Sequence, residues 1–409
     1  MTTAMLDPVA RVFADPQRVL ADPADFYADL HRRGDGVQQG WGAQLWGYDA
    51  VRDALRSSAL TVSPPGMPAR SSDPWLADVI TRMPSMTDGA DRDVAVRALR
   101  SAFAPRAAGE SDGIAHEIVA ASLAQARAKG GPIDIIADIA APALPAFLLA
   151  ALGLEGAADA AALAAAGRAV TLELLPWAEV SPDRVSEIRV VHDSLLAFVA
   201  AERGARRGDL LGRLLAAVPD DRDAVATILL LLVGGQETIV SLVATALDLW
   251  SGDDAAAASP DDVVDEAARL APPIHMLART ARTDVQCGAV AIGAGAPVII
   301  LLGAALRDPT AFERPDAVVW KRAGDRGNRA IAFGAGPHQC IGRAYAQLLV
   351  IEIIRQIDVA WPEWRQRPRV ASGWTAVPVF QGPTSLLLDV ADYRPLGTAD
   401  AERDPMEDA

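Results

Sequence analysis

Apolar residues recur every three to four positions over long stretches of the chain, the pattern of helices that bury one face. This periodicity predicts helices over residues 91–104, 113–129, 145–152, 157–166, 185–203 and 223–250. A further helical pattern begins near Ile341 and continues through Tyr345, Leu348, Leu349 and Ile353. Short β-like stretches, punctuated by Gly or Pro, lie near residues 36–46, 284–292, 297–302 and 384–390. The predicted fold class is mainly α with small β-sheets. No repeat and no long Gly/Ser or Pro linker divides the chain, so residues 1–409 are expected to form a single domain. Two regions broken by prolines, near 61–86 and 168–184, read as lids, and the charged tail 393–409 reads as frayed.

Composition narrows the possible partners. With 51% hydrophobic and 22% charged residues, 409 residues suffice for a large core. A net charge of −15 argues against nucleic acid, whose phosphates need a basic surface. Only Cys287 and Cys340 are present, which argues against a disulfide framework and for a reducing compartment. Cys287, in a strand-like stretch, reads as a packed hydrophobe. The N-terminus shows neither the basic nor the apolar region of a signal peptide, so a cytoplasmic location is expected. The apolar run from Ala224 to Trp250 is long enough for a bilayer, but Gln236 and Glu237 fall at its middle, where lipid makes them costly. No membrane partner is expected, and the run reads as a buried central helix.

Three local patterns carry chemistry. The run Phe333-Gly334-Ala335-Gly336-Pro337-His338-Gln339-Cys340-Ile341-Gly342-Arg343 delivers one thiol to the start of an apolar helix. Free N–H groups and the helix dipole there favour negative sulfur, which suits either a metal ligand or a nucleophile. A buried structural cysteine is the plain alternative. Within the central apolar helix, Gly234-Gly235-Gln236-Glu237-Thr238 places two glycines and an acid where both cost stability, so an offsetting role is expected. Glu266-Ala267-Ala268-Arg269 sets opposite charges three residues apart on one helix face.

The cysteine run resembles the haem-ligand loop of the cytochrome P450 superfamily, Phe-Gly-x-Gly-x-x-x-Cys-x-Gly, with every fixed position filled. The glycine-rich segment resembles that family's distal-helix motif, and Glu266, Arg269 and Arg279 follow its Glu-x-x-Arg and Arg order. The resemblance implies a cytochrome P450 fold and haem b, with Cys340 as metal ligand. Phe333, Gly334 and Gly342 would border the cofactor on the thiol side, and Gly234 and Gly235 on the other. Thr238 would donate a hydrogen bond to dioxygen while Glu237 relays protons. Glu266 and Arg269 would form a structural charge pair. Arg279, His338 and Arg92 would meet the haem propionates, although Val96 stands where relatives often carry a second donor.

By the same resemblance, the function is that of a haem-thiolate monooxygenase activating dioxygen to oxidise a small, largely apolar molecule in bacterial specialised or catabolic metabolism. A peroxide-driven haem oxidase and a non-catalytic haem sensor are the alternatives. The sequence has neither a Gly-x-Gly-x-x-Gly dinucleotide fingerprint nor a cysteine cluster for iron and sulfide, so electrons are expected from ferredoxin and ferredoxin reductase. Arg97, Arg100, Arg106 and Arg343 are the expected docking patch. Expected substrate-pocket residues are Trp75, Leu76, Leu230, Val233, Ile274, His275, Met276, Leu277 and Phe380.

Overall fold

Side-chain caps decide where several periodic stretches become helices. Asp220 accepts from the N–H groups of Arg222 and Asp223 and starts the longest helix, while Ser259 and Asp262 form a reciprocal capping box. The structure is a computed structural model that describes residues 7–62, 71–104, 108–173, 181–205, 207–251, 258–320, 322, 329–367, 369–374 and 379–390. Among these, α1 to α4 span Pro8–Ala14, Pro16–Ala21, Ala24–His31 and Tyr48–Arg56. They precede α5 (Pro74–Arg82), α6 (Ala90–Ala102), α7 (Asp112–Lys129), α8 (Ala141–Leu152) and α9 (Ala160–Glu173). The remainder are α10 (Pro182–Glu202), α11 (Leu210–Ala217), α12 (Asp221–Leu249), α13 (Pro260–Leu270), α14 (Leu302–Ala305) and α15 (Arg343–Ala360). The mainly α class with small sheets therefore holds.

The described part of the first lid region is helical where its prolines suggest irregularity. Residues 61–86 contain α5, whose start uses Asp73 as cap and Pro74 in the first turn, where a missing N–H costs nothing. Residues 63–70 of that region, residues 174–180 of the second lid and the tail 393–409 lie outside the described residues. Pro145 was expected to begin a helix, but α8 starts at Ala141 and follows directly on a π-helical turn, Ile135–Ala140. Burial of Ile135, Ile136, Ile139, Leu144, Phe147 and Leu148 holds the chain helical through a residue that cannot donate to Ala141.

Consequently two helical stretches, Ile135–Leu152 and Asp221–Leu249, are long and apolar enough to cross a membrane by length and composition. In each, most of the apolar window is buried inside the protein, 61% and 56% respectively, so both serve as core helices. α12 packs against α8, α9, α10, α13 and α15.

A five-stranded sheet has the order β1-β2-β8-β5-β3, with β1 (Gly36–Gln39), β2 (Gly42–Leu45), β3 (Leu60–Thr61), β5 (Met276–Ala281) and β8 (Pro297–Leu301). β2 and β8 are parallel, whereas the other pairs are antiparallel. A second sheet joins β4 (Ile133–Asp134), β10 (Pro383–Leu388) and β9 (Arg369–Trp374), and β6 (Val285–Cys287) pairs with β7 (Val290–Ile292) as a hairpin. β5 was not expected, because Met-Leu-Ala-Arg-Thr-Ala lacks clean alternation; its place between β8 and β3 supplies the pairing that its own pattern does not.

Candidate active site

The cysteine loop is held by main-chain geometry and by arginines. Gly334 and Gly336 have φ of 73° and 67°, a conformation that residues with a Cβ rarely adopt. A Cβ on Gly336 would also lie 2.6 Å from the Leu55 carbonyl at the end of α4, so the loop rests on that helix. The Cys340 N–H donates to Phe333 O at 2.8 Å and closes the loop. Arg92 and Arg100, two turns apart on α6, both donate to Pro337 O, at 3.0 and 2.8 Å, and Arg100 also reaches Gly336 O at 2.8 Å. Arg100 was expected in a docking patch, but its guanidinium is engaged here. Sequence reading missed this because the helix pattern does not say which face meets the loop.

Cys340 precedes α15 instead of lying in its first turn; Gly342 is the cap, and the sulfur lies against the helix entrance. Burial pushes the Cys340 thiol up, while the Gly342 and Arg343 N–H groups and the Arg343 guanidinium pull it down. Burial wins, so the helix entrance alone does not yield the thiolate that the sequence suggested. A metal cation on the sulfur would reverse that balance. Arg343 lies 5.1 Å above the Phe333 ring and donates to Gln347. Within the protein nothing demands glycine at 342, since a Cβ there would sit in ordinary contact, 4.0 Å from Cys340 Sγ.

On α12 the two glycines have different surroundings. A Cβ on Gly235 would lie 2.6 Å from Leu144 of α8, so Gly235 serves helix packing and not, as expected, the cofactor. A Cβ on Gly234 would meet nothing within 4 Å, and Gly234 is exposed although Leu232, Val233 and Gln236 beside it are buried. Thr238 Oγ1 donates to Gly234 O at 2.5 Å, a local bond that loosens the helical ladder. Burial raises the Glu237 carboxyl, with the positive charge of Arg168 opposing it.

His338 has both ring nitrogens engaged. Arg92 can only donate, so Nδ1 accepts from it at 3.1 Å, and Nε2–H then donates to Asp88 at 2.8 Å. Burial, followed by the charges of Arg92 and Arg279, lowers the His338 pKa against the pull of Asp88, which matches this neutral form. The expected propionate donor thus spends its one N–H on Asp88. Arg92 likewise bonds Pro84 O and Asp93 besides the loop. Arg279, on β5, donates to Ala278 O at 2.7 Å. Val96, between the two arginines on α6, is buried.

Glu266 and Arg269 are both fully buried and paired through two bonds of 2.8 and 2.9 Å. Arg269 also donates to the carbonyls of Leu306, Pro315 and Ala317, and Glu266 accepts from Val319 N–H and Arg322. These bonds outweigh burial and hold the Glu266 carboxyl below its ordinary range.

A cavity of about 180 Å³ lies against α12 at Glu237. Of the expected pocket residues, Phe380 lines it, bridged to Ile274 by backbone pairing. Leu76 and His275 have no accessible surface and Met276 has 3%, and none of the three lines this cavity. Trp75 instead meets α10, edge-on to His192 and under Arg189 at 4.1 Å. Leu230 and Leu277 are half-buried, and Val233 is buried. Arg168 also lines the cavity and was missed. Its signal was available, as the one charge in residues 160–172.

The family model for cytochrome P450 matches residues 261–369. A Streptomyces protein, cytochrome P450 105C1, is 30% identical over 346 residues, covering 80% of this chain and 84% of that protein. The chain belongs to the cytochrome P450 family. A Mycobacterium tuberculosis protein named beta-dihydromenaquinone-9 omega-hydroxylase is 27% identical over 387 residues, covering 85% of this chain and 73% of its own length. The fold matches that of P450BioI, solved with a hexadec-9Z-enoic acid ligated acyl carrier protein, with TM-score 0.76, 22% identity and coverage of 91% and 99%. This P450 is therefore an oxidoreductase of the haem-thiolate monooxygenase class, acting on small molecules with electrons from redox partners. Its residues fit a haem iron. Cys340 is accessible, yet crowding by protein atoms raises its pKa, and its sulfur lies against the entrance of α15. Gly234 offers a bare helix face of the kind a flat group needs.

Proposed function

We propose that this P450 binds haem b through Cys340 and uses dioxygen to oxidise a small, largely apolar substrate in bacterial specialised or catabolic metabolism. The reading includes one domain over residues 1–409, a cytoplasmic location, and ferredoxin with its reductase as electron source. The observation that carries it is the pairing of an accessible but crowded thiol at a helix entrance with a bare glycine face beside Glu237 and Thr238. Bound haem iron supplies oxygen activation, which a thiolate ligand promotes by pushing electron density onto the metal.

The chain's own groups then manage position and protons. The Thr238 hydroxyl rests on Gly234 O, one side-chain rotation from the open space at Gly234. Glu237, raised by burial, takes up a proton more readily than an exposed acid, which supports a role in resupplying that hydroxyl. Arg92, Arg100 and Gly336 hold the Cys340 loop in place, and the Glu266, Arg269 and Arg322 cluster braces the segment before it.

The reduced, carbon monoxide-bound absorption spectrum tests the ligand. A thiolate-type band that disappears in Cys340→Ser is expected, and a histidine-type or neutral-thiol band in fresh wild-type protein would overturn the reading. Thr238→Ala is expected to keep that band and substrate binding while product per electron pair falls about tenfold or more, the electrons appearing as hydrogen peroxide. Unchanged coupling would remove Thr238 from proton delivery.

A further inference from the structure

We propose that Arg168 anchors an anionic group, a carboxylate, at one end of the substrate. The inference rests on the monooxygenase reading and names the substrate class for the cavity that Arg168 shares with Glu237, the neighbour of Thr238 on α12. The cavity beside Glu237 is lined by Ile136, Val240 and Phe380, surfaces suited to an apolar body, and by Arg168. Among the described residues no carboxylate lies within ion-pair distance of Arg168, and no hydrogen bond engages it. The arginines of neighbouring elements behave differently: Arg82, Arg184, Arg203 and Arg207 each hold an acid. A guanidinium with five donors that lines a cavity and is held in no ion pair is a receptor for a planar anion.

Three further observations agree. The chain carries −15 overall, so an anionic ligand approaches against a repulsive field and needs a local cation to be retained. Glu237, the acid whose charge Arg168 feels, is pushed toward its neutral form by burial, which weakens it as a competitor for the guanidinium. The helix that carries Arg168 is also pinned to α12. Gln236 Nε2 donates to Ala164 O at 2.8 Å, and a Cβ on Gly167 would lie 2.8 Å from Gln236 Oε1, so the Gln236 amide packs directly on α9 one residue from Arg168. The backbone of Arg168 is thereby fixed before any ligand arrives, which lowers the ordering cost of binding.

Optical binding titrations of the haem-loaded enzyme test this, with straight-chain acids from hexanoic to hexadecanoic, their methyl esters and the matching primary amines. In wild type, the best-bound acid is expected to bind about tenfold or more tighter than its ester, the effect of a charge-assisted hydrogen bond. Arg168→Gln should abolish that preference while leaving the ester within about twofold, the scale of a lost charge without lost packing. Arg168→Glu should favour the amine over the acid. If no acid of the series binds more tightly than its ester to wild type, or if Arg168→Gln keeps the preference, the proposal is overturned. A missing thiolate-type band would instead overturn the parent reading, and the same samples report both.

Discussion

On Asp88 three donors converge: the Thr61 hydroxyl, the Val62 N–H at 2.7 Å and His338 Nε2 at 2.8 Å. Burial alone would raise this carboxyl, but the hydrogen bonds prevail and bring it down to about 2. The folded value lies below the ordinary carboxylate value near 4, so the charged form is held more strongly in the native state. The stability it contributes is complete above about pH 4 and drains away as pH falls toward 2. Asp88→Asn should therefore lower the thermal midpoint by a few degrees at neutral pH. The gap from wild type should shrink between about pH 4 and 2; a constant gap over that range would show that Asp88 acts through shape alone. None of these partners was legible from sequence, because Thr61, Asp88 and His338 are far apart along the chain and meet only through tertiary packing. His338 stands out in the cysteine run as a donor, yet a motif cannot say which acceptor a neighbouring element will present to it.

At the scale of elements, α12 separates two glycines that look equivalent in sequence. Gly235 faces Leu144 at 2.6 Å from its missing Cβ, whereas Gly234 faces open space. Gly235→Ala should destabilise the haem-free protein by about 1–3 kcal/mol through overpacking. Gly234→Ala should leave the haem-free protein as stable or gain up to about 1 kcal/mol from helix propensity, while lowering the ratio of haem to protein after reconstitution. Thermal unfolding and a haem titration read the two effects, and equal stability losses in both variants would contradict the assignment. On α6, Arg92, Val96 and Arg100 recur at four-residue spacing on one face, and both arginines clamp the carbonyls of the cysteine loop. The missing polar group at Val96 is legible in sequence. That Arg100, one turn further on, holds the loop depends on where α6 docks.

For the whole molecule, the distribution of charge matters more than the total of −15. Near the cysteine loop Arg97 is exposed, Arg343 is half-buried over Phe333, Arg100 is committed to carbonyls, and Arg106 lies outside the described residues. Reduction by an acidic ferredoxin should slow at least about tenfold as ionic strength rises from ~0.01 to ~0.5 M, and Arg97→Glu should slow it chiefly at low salt. A rate indifferent to salt would remove this docking face. The family, the helical class and the existence of a special thiol were all readable from the chain alone, because hydrophobic period, glycine punctuation and motif spacing are local properties of covalent sequence. Tertiary structure alone decided that crowding by protein atoms raises the Cys340 thiol, that Gly235 packs while Gly234 opens, and that Arg168 lines a cavity beside Glu237 without an ion pair. Each of these depends on desolvation and close approach between segments distant in sequence, and both are set by how the helices pack against one another.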